Sequence, residues 1–576
     1  MVQNNVFKPK FFKLFKKGKY NKEFFISDLI AGIIVGIIAL PLAIAFGIAS
    51  GVTPQQGLIT AIVAGLIIAL FGGSRFLIGG PTGAFIVIIA SIIAKYGMTG
   101  LTIATLMAGV FLIVMGVLKM GAVFKFIPYP IIVGFTSGIA LTIFSTQLKD
   151  FFGFTNLNVP AEFIPQWGCY LSNIANINWI ETILSFICLL SIIFWNKYAT
   201  KKIPGALIAI MLGTFISIML KNYWGIEITT IGSKFPALSG GMALPEINMP
   251  SITYETVKGL VSPAFTIAML CAIESLLAAM VADGVTGKQH HSNTELIAQG
   301  MANLVTPLFG GIPATGALAR TMASINNGGK SSVAGLVHSI VLLLIFLFLM
   351  PYVVYVPIGC LAAILIIVAY NMSEWRSFKY LLKGEKGDVA VLLITFFLTV
   401  VVDLTVAIEF GILLAVVLFV RRIMQTSSIS VIKADTLALT EDDDIAQAGD
   451  IEKLDIHSGI EVYEINGPYF FGLASVNEDM QNREKKHTVC RIIRMRKVPF
   501  IDSTGIRNLR NLCDMAKKRG VQVILSGVQP EVMATLKRFG LDKEVGLENI
   551  FDNIIPALSY ANNLADKKFS EKGDKG

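Results

Sequence analysis

The chain has 576 residues, of which 54% are hydrophobic and only 15% are charged, and its net charge is +9. Soluble globular domains usually carry about a quarter charged residues. The composition therefore excludes a wholly soluble protein and indicates lipid as the solvent for much of the chain. The positive charge does not indicate nucleic-acid binding, because much of the lysine lies beside apolar segments.

The chain begins with a lysine-rich arm, which we predict to be cytoplasmic over residues 1–25. Its lysines are Lys8, Lys10, Lys13, Lys16, Lys17, Lys19 and Lys22. The apolar run that follows has full membrane length and lacks a fitting small-residue cleavage site, so we do not interpret the segment as a cleaved signal peptide. Two interpretations of the arm stay open. In the first, the arm lies on anionic lipid. In the second, its lysines only set the orientation of the spans in the membrane.

Membrane-length apolar stretches continue to Arg421 and Arg422, which predicts a transmembrane domain over residues 26–422. A span needs roughly 20 apolar residues. Fourteen stretches are candidates, some of them short: 28–50, 55–72, 78–95, 100–118, 128–147, 178–195, 203–220, 259–283, 293–309, 313–325, 332–350, 355–371, 388–403 and 405–420. Under this count the basic loop residues share one side, which predicts a multi-pass protein of the inner cell membrane with both termini cytoplasmic.

An internal repeat is visible within the apolar part. Residues 57–73 (GLITAIVAGLIIALFGG) and 295–311 (ELIAQGMANLVTPLFGG) both end in LFGG, and GGPTGA at 79–84 is echoed by GGIPATGA at 310–317. Seven candidate spans separate the two copies, and an odd number inverts the second copy. Helix packing by small residues would explain a single glycine pair. Here glycine and proline interrupt the apolar sequence at two matched places, 79–84 and 310–317, which we call the broken blocks. Two such blocks indicate an inverted-repeat transporter.

The two broken blocks predict an anion site. Pro81 and Pro313 each precede a short apolar stretch, and proline favours the first helical position. Each helix should then begin part-way through the membrane, with its free N–H groups and partial positive charge available to an anion. The predicted donors are the backbone amides of Thr82, Gly83, Ala84, Thr315, Gly316 and Ala317, together with the two threonine hydroxyls.

Two charged residues lie within the predicted spans. A charge at the bilayer centre costs about 2.5 kcal/mol or more, so Arg320 must face protein or water. It either neutralises a bound anion or is a structural arginine at a helix end. A carboxyl group in a low-dielectric environment binds a proton more readily than one in water, so Glu274 is a candidate coupling residue. Its alternative role is that of a fixed partner for Arg320 or a cation.

Residues after 422 are more polar and alternate between strands and helices. We predict a linker at 423–455, a small α/β domain at 456–566 and a disordered tail at 567–576. Its strands are expected at 460–465, 490–495 and 521–525, and its helices near 504–519 and 529–539. Asp502 and Ser503 can cap the first of these helices.

Several site classes find no support in the sequence. The six cysteines have neither disulfide nor zinc spacing, and no metal site is indicated. The adjacent His290 and His291 are expected to be solvent-exposed in a polar loop. We find neither a nucleophile beside a base nor a phosphate-binding loop, so we predict that the protein is not an enzyme and uses no cofactor.

Several motifs resemble those of the SulP (sulfate permease) anion transporters over nearly the whole chain. They are LPLAIAFG at 40–47, GGPTGA at 79–84, ADG at 282–284, SNTEL at 292–296 and LFGGIPATGA at 308–317 with Arg320. The resemblance implies a fourteen-span fold built as a 7+7 inverted repeat, in which a core domain moves against a gate domain in an elevator-like cycle. It also implies a homodimer, and it adds Ala45 and Phe46 of the first span to the substrate site.

The C-terminal domain resembles STAS domains through VPFIDSTG at 498–505. In anti-sigma-antagonist relatives a hydroxyl at this loop is phosphorylated, so the resemblance implies Ser503 and Thr504 as regulatory candidates. Helix capping is the competing interpretation of the same residues.

Together these observations predict a secondary active transporter of a small anion, which could be sulfate, bicarbonate or a dicarboxylate. The resemblance implies proton coupling, because Glu274 and Ala278 stand where sodium-coupled bicarbonate carriers have an aspartate and a hydroxyl. The alternatives are a chloride or bicarbonate channel or exchanger, a sodium-coupled bicarbonate symporter, and an anion sensor. The expected partners are the anion, a proton or sodium ion, the bilayer and a second copy of the chain, with no nucleic acid.

Overall fold

The computed structural model describes residues 7–15, 20–122, 128–154, 157, 159–160, 162–199, 203–236, 254–402, 404–426, 428–432, 456–471 and 488–573. The chain divides into two compact units, Met1–Ala415 and Val416–Gly576. The first is almost entirely helical, and the second contains a five-stranded sheet.

Most helices from the arm to the start of the second unit coincide with predicted apolar stretches. The helices of this part are α1 (Phe11–Phe15), α2 (Lys22–Ala49), α3 (Pro54–Phe71), α4 (Ile86–Val117), α5 (Tyr129–Phe151), α6 (Phe163–Ser172), α7 (Trp179–Tyr198), α8 (Gly205–Trp224), α9 (Ile231–Lys234), α10 (Tyr254–Thr286), α11 (Ser292–Val305), α12 (Leu318–Asn326), α13 (Val333–Val353), α14 (Ile358–Met372), α15 (Trp375–Leu381), α16 (Lys386–Val401) and α17 (Leu404–Thr426). Helices α1, α6, α9 and α15 lie outside the predicted stretches.

Within the described residues, nine helices are long and apolar enough to cross a membrane on their own. The predicted spans 78–95 and 100–118 together form α4, which is interrupted at Gly97 by a backbone conformation (φ +67°, ψ −174°) that only glycine adopts easily. Helix α12 has 9 residues, too few to cross about 30 Å of hydrocarbon alone. The number of fourteen spans therefore stays a prediction.

The helices of the membrane unit pack in two groups. In the first group, α4 packs on α10 and α11, and α2 packs on α3 and α13. In the second group, α5 packs on α14 and α16, and α7 packs on α8 and α14. Helix α2 also contacts α8 and α14 of the second group. Both broken blocks belong to the first group, which we call the site-bearing group (α2, α3, α4 and α10–α13).

The second unit has the strand order β3-β4-β5-β6-β7. Its strands are β3 (Ser428–Ile432), β4 (Ile460–Asn466), β5 (Cys490–Arg494), β6 (Gln522–Ser526) and β7 (Ile550–Phe551). Strand β3 runs antiparallel to β4, and the other pairs are parallel. Its helices are α18 (Ser503–Lys518), α19 (Pro530–Phe539), α20 (Leu541–Val545) and α21 (Ile554–Gly573).

Apolar residues cover both faces of this sheet, as parallel strands require. Tyr463 and Ile465 of β4 pack in one cluster with Leu509 of α18. Val462 of the same strand packs in a second cluster with Leu558 of α21. The alternation along β4 therefore places one helical layer on each face, and the predicted α/β domain is observed.

Two segments of this unit differ from the sequence-based expectation. Residues 428–432 lie in the predicted linker but form strand β3, because their backbone pairs with β4 over five positions. The tail predicted to be disordered from residue 567 is helical through Gly573 as the end of α21. Neither feature can be predicted from the local sequence. An edge strand depends on the strand it pairs with, and the end of α21 continues a helix that is packed on the sheet.

Candidate anion site

The two broken blocks meet through a short antiparallel ladder. Strand β1 (Gly79–Gly80) pairs with β2 (Thr315–Gly316), with Gly79 opposite Gly316 and Gly80 opposite Thr315. All four residues are buried. The helices that begin after the two strands, α4 and α12, therefore start next to each other inside the site-bearing group.

The first helix opens with a 3-10 turn at Gly83–Phe85, which continues into α4. First-turn amides have no carbonyl partner within their own helix, and here they belong to Gly83 and Ala84. Both residues are buried. These two predicted donors thus lie at a helix N-terminus, directly after Thr82, as the pattern of proline and glycine predicted.

The second helix begins later than expected, at Leu318 rather than at Thr315. The Ala317 amide donates to the Ile78 carbonyl at 2.8 Å, and Thr315 and Gly316 belong to β2. The first-turn amides of α12 are therefore those of Leu318 and Ala319. Sequence reasoning missed this shift because the ladder with β1, a contact between distant segments, decides where the helix starts.

Arg320 lies against the ladder and is only 1% exposed. Its Nη2 donates to the Pro81 carbonyl at 2.9 Å, while its Nη1 has no hydrogen-bond partner among the described residues. The guanidinium packs on the Cα of Gly80, where a Cβ would collide with Nη1. The φ of this position is +153°, which residues other than glycine rarely adopt. Both the close guanidinium and the backbone conformation therefore require glycine here.

Glu274 of α10 reaches the other side of the first helix N-terminus. The Thr82 hydroxyl donates to Glu274 Oε2 at 2.8 Å. Within the described part of the chain, no ion pair joins Glu274 to Arg320. The Thr315 hydroxyl donates to the Cys271 carbonyl at 2.9 Å. Both threonine hydroxyl protons are thus engaged within the protein, which leaves the amides and Arg320 as donors for an anion.

Apolar side chains enclose the first helix N-terminus. Three of them lie 3.0–3.4 Å from where a Cβ of Gly83 would be: Met372 of α14, Ile143 of α5 and Phe46 of α2. Of the two family-implied residues of the first span, Phe46 is 6% exposed and lies in this wall, and Ala45 beside it in the sequence is fully buried. An apolar wall lowers the local dielectric constant and strengthens the attraction between an anion and the amides.

Three buried polar side chains along one face of α11 hold the broken blocks in place: Glu295, Gln299 and Asn303. The Glu295 carboxylate accepts from the amides of Gly73 (2.8 Å) and Ser74 (3.0 Å). The Asn303 amide group accepts from the Ala314 N–H at 2.9 Å and donates to the Ala314 carbonyl at 2.8 Å. The i, i+4, i+8 spacing of polar residues in an apolar stretch is a signal that sequence analysis could have used.

The bracing between the two halves is reciprocal. Thr60 of α3 accepts from the Ile312 amide at 2.8 Å, so the first half supports the second block. Thr321 of α12 accepts from the Ile78 amide at 3.1 Å, so the second half supports the first block. Neither threonine was singled out by the sequence, because isolated hydroxyls in apolar helices are common.

A buried carboxylate, Asp28, joins the start of α2 to the segment before α13. It is fully buried and accepts from the Tyr20 hydroxyl at 2.9 Å and from the amides of Lys330 (2.6 Å) and Ser331 (3.0 Å). With its acceptor positions filled by protein donors, Asp28 has a structural role. In the sequence this aspartate marks only the start of the first predicted span, and nothing local indicates its distant partners.

The expectation that both histidines are solvent-exposed is wrong for His290. Its side chain is only 4% exposed, and Nδ1 lies 2.6 Å from Asp283 Oδ2. The His290 amide bonds to the same carboxylate at 2.9 Å, and Nε2 lies 3.0 Å from the Ser292 hydroxyl. A turn between α10 and α11 folds the polar loop back on itself, which local polarity does not reveal.

In the second unit, Asp502 is the N-cap of α18 and accepts from the Gly505 amide at 2.7 Å. Ser503, the first helical residue, is exposed, and Thr504 is half-buried. The capping interpretation is thus confirmed for Asp502, while the regulatory role of Ser503 and Thr504 stays a prediction. These residues belong to a different unit from the membrane residues described above.

Similarity to known proteins agrees with this architecture. The chain matches the sulfate permease family over residues 25–395 and the STAS domain over residues 453–557. "Putative sulfate transporter YvdB" of Bacillus subtilis is 38% identical over 535 residues, which cover 93% of this chain and 97% of the relative. Bicarbonate transporter BicA of Synechocystis is 30% identical over 521 residues, which cover 88% of each.

Two solved structures share the fold. SLC26A9 aligns with a TM-score of 0.80 at 20% identity and covers 96% of this chain and 92% of its own. The transmembrane domain of a cyanobacterial BicA aligns with a TM-score of 0.61 at 32% identity and covers 68% of this chain and 98% of its own. The predicted helical membrane body with a C-terminal STAS domain is confirmed, and the similar proteins are named as transporters rather than enzymes.

Proposed function

Since this chain belongs to the sulfate permease family, we propose that it is a secondary active carrier of a small anion. The anion would bind between the N-terminal ends of α4 and α12, beside Arg320. The observation that carries the proposal is the buried guanidinium, whose Nη1 has no partner among the described residues. An uncompensated buried cation is costly, and a bound anion would supply the missing charge.

The donor arrangement favours an oxyanion as the substrate. The first-turn amides of the two helices and the Arg320 guanidinium would bond to different oxygens of an oxyanion, whereas chloride has no separate acceptor atoms. Sulfate and bicarbonate both fit this class, and the names of two similar proteins, YvdB and BicA, mention sulfate and bicarbonate.

We propose that a proton couples to transport at Glu274. Its carboxylate accepts the Thr82 hydroxyl proton at 2.8 Å and has no cationic partner within the described residues. Protonation would weaken this contact at the residue that precedes the first-turn amides of Gly83 and Ala84. Sodium coupling is less favoured, because Ala278, one helical turn further along, offers no oxygen ligand.

The hydrogen bonds between the halves support a moving-body mechanism. The ladder, Thr60 and Thr321 tie the two helix N-termini together, so the site would travel as one piece with the site-bearing group. The second helix group would serve as the stationary gate, as in an elevator-like cycle. A homodimer in the cell membrane with cytoplasmic termini stays part of this prediction.

Uptake into proteoliposomes tests the proposal. The purified full-length protein would be supplied with labelled sulfate, bicarbonate, succinate and chloride under imposed proton or sodium gradients. We expect saturable uptake of one oxyanion, stimulated by an inward proton gradient and indifferent to sodium. Stimulation by sodium alone would favour the symporter alternative, and electrical currents far above carrier turnover would favour a channel. Binding without net uptake would favour a sensor.

A further inference from the structure

The N-terminal arm is bound to the site-bearing group through its backbone. The Lys10 amide donates to the Gly72 carbonyl at the end of α3 (3.0 Å). The Lys8 amide donates to the Thr294 hydroxyl at the start of α11 (3.0 Å). Because these bonds use main-chain groups, the lysine side chains are not required for the attachment and remain available for other contacts.

Aromatic rings accompany these lysines at the end of α3. Phe7 and Phe12 lie with their ring centroids 6.4 Å and 6.2 Å from that of Phe71, the last residue of an apolar helix long enough to span a membrane. Phe7 is 38% exposed and Phe12 is 49% exposed. Exposed phenylalanine rings in a lysine-rich segment are typical of chain segments that lie at the boundary between hydrocarbon and headgroups.

Four cations gather at this end of the site-bearing group, and we call them the arm cluster: Lys8, Lys10, Lys13 and Arg75. Burial and repulsion by Arg75 and Lys13 lower the pKa of Lys10. Burial and the neighbouring lysines lower the pKa of His291 to about 4, so at neutral pH this histidine adds no charge. The bond from the Lys10 amide to the Gly72 carbonyl, three residues before Arg75, brings the lysines of the arm beside this arginine, in agreement with these shifts.

Protein carboxylates leave most of this charge uncompensated. Asp283 acts on Lys10, but its carboxylate lies 2.6 Å from His290 Nδ1. In the described ranges of the chain, no ion pair links a member of the arm cluster to an aspartate or glutamate. The cluster therefore has the charge to bind an external anion.

We propose that the arm cluster, with Phe7 and Phe12, is a binding site for the headgroups of anionic phospholipids. The combination decides the partner, since cations beside exposed aromatic rings at a span end match a lipid headgroup with its attached acyl chains. A soluble anion would not require the rings. Because the arm bonds to α3 and α11, the helices that brace both broken blocks, bound lipid would stabilise the site-bearing group.

The experiment compares full-length protein in nanodiscs of phosphatidylcholine with increasing fractions of phosphatidylglycerol. Thermal unfolding is the readout, because it does not depend on transport activity. The variant Lys8→Gln/Lys10→Gln/Lys13→Gln removes three charges, and Lys8→Arg/Lys10→Arg/Lys13→Arg retains them. A matched triple lysine-to-glutamine variant at the exposed positions Lys517, Lys518 and Lys543 of the STAS domain controls for net charge.

We expect phosphatidylglycerol to raise the Tm of the wild type, the arginine variant and the STAS control. A cation near an anionic surface contributes about 1 kcal/mol, so the glutamine variant should bind phosphatidylglycerol on the order of 100-fold more weakly and show little rise in Tm over the same range of phosphatidylglycerol fractions. A Tm that responds equally in all four proteins would overturn the proposal. A rise produced by inorganic phosphate in phosphatidylcholine nanodiscs would overturn it too, in favour of a free-anion site.

The dependence of the Tm on phosphatidylglycerol tests the lipid site independently of the proposed carrier function. If the lipid response follows the arm charges while no anion is taken up, the lipid site stands and the carrier proposal fails. If uptake is normal while the rise in Tm with phosphatidylglycerol does not depend on the arm charges, the carrier proposal stands and the lipid site fails. Uptake measured as a function of phosphatidylglycerol content would then show whether the occupied lipid site also affects transport.

Discussion

Replacing Arg320 by alanine should remove most of the affinity for the substrate anion. The guanidinium is 1% exposed, and its Nη1 lacks a partner among the described residues. Truncating one member of a buried, hydrogen-bonded charge pair costs about 2–5 kcal/mol. That free energy corresponds to a rise in Kd of about 30-fold to about 5000-fold.

The same substitution should leave the fold largely intact. It deprives the Pro81 carbonyl of the bond from Nη2 (2.9 Å), a loss of about 1–3 kcal/mol for a buried acceptor. It also removes a cation that is costly to bury without an anion, so the two effects oppose each other. We therefore expect a small change in the Tm of the substrate-free protein, beside a large change in Kd.

The assay is equilibrium binding of the labelled anion to purified protein, followed by uptake into proteoliposomes. Arg320→Lys keeps a point charge on a flexible stem without the planar donor fork, so its Kd should fall between wild type and Arg320→Ala. Arg376→Ala is the control, since this arginine stacks near Trp375 on exposed α15, with 5.4 Å between Cζ and the ring. A folded Arg320→Ala protein with unchanged Kd would refute the placement of the anion beside this residue.

Three further changes probe the coupling residue, the ladder and the STAS cap. Glu274→Gln should abolish the stimulation of uptake by an inward proton gradient, while Glu255→Gln at the exposed start of α10 should not; an unaltered pH profile in Glu274→Gln would end its coupling role. Gly80→Ala should weaken anion binding and lower stability by about 1–3 kcal/mol, because the Cβ collides with the guanidinium at φ +153°; Gly168→Ala, where a Cβ has no neighbour within 4 Å, serves as its control in thermal unfolding. Asp502→Ala should destabilise α18 by about 0.5–2 kcal/mol, seen as faster hydrogen exchange over residues 503–518, with unchanged Kd for the anion.

The helical framework was readable from the sequence because each span is its own apolar signal. The boundaries of α3 and α13 fall within a few residues of the predicted stretches, and so does the end of α2. Proline and glycine also marked both broken blocks, since their backbone restrictions act locally. What the pattern could predict is where helices start and stop along the chain.

The hydrogen-bond partners within the site could not be predicted from the sequence in this way. The shift of the second N-terminus from Thr315 to Leu318 depends on β1, more than 200 residues away in the sequence. The engagement of the Thr315 hydroxyl by the Cys271 carbonyl likewise depends on where α10 lies. Contacts of this kind arise from tertiary packing, and a single sequence contains no local signal for them.

The pattern of hydrogen bonds argues that the two helix N-termini do not separate during transport. The Ile312, Ile78 and Gly73 amides all donate to side chains of the opposite half, and β1 pairs with β2 at the centre. Each buried donor that lost its partner would cost about 1–3 kcal/mol, so opening a gap between the halves would sacrifice several such bonds at once. Where the second helix group meets the wall beside Gly83, in contrast, it contributes apolar side chains from α5 and α14, and apolar surfaces can slide without leaving donors unpaired. This pattern supports the proposed elevator-like cycle, in which the whole site-bearing group would move along this apolar wall with the anion held between two N-termini that stay together.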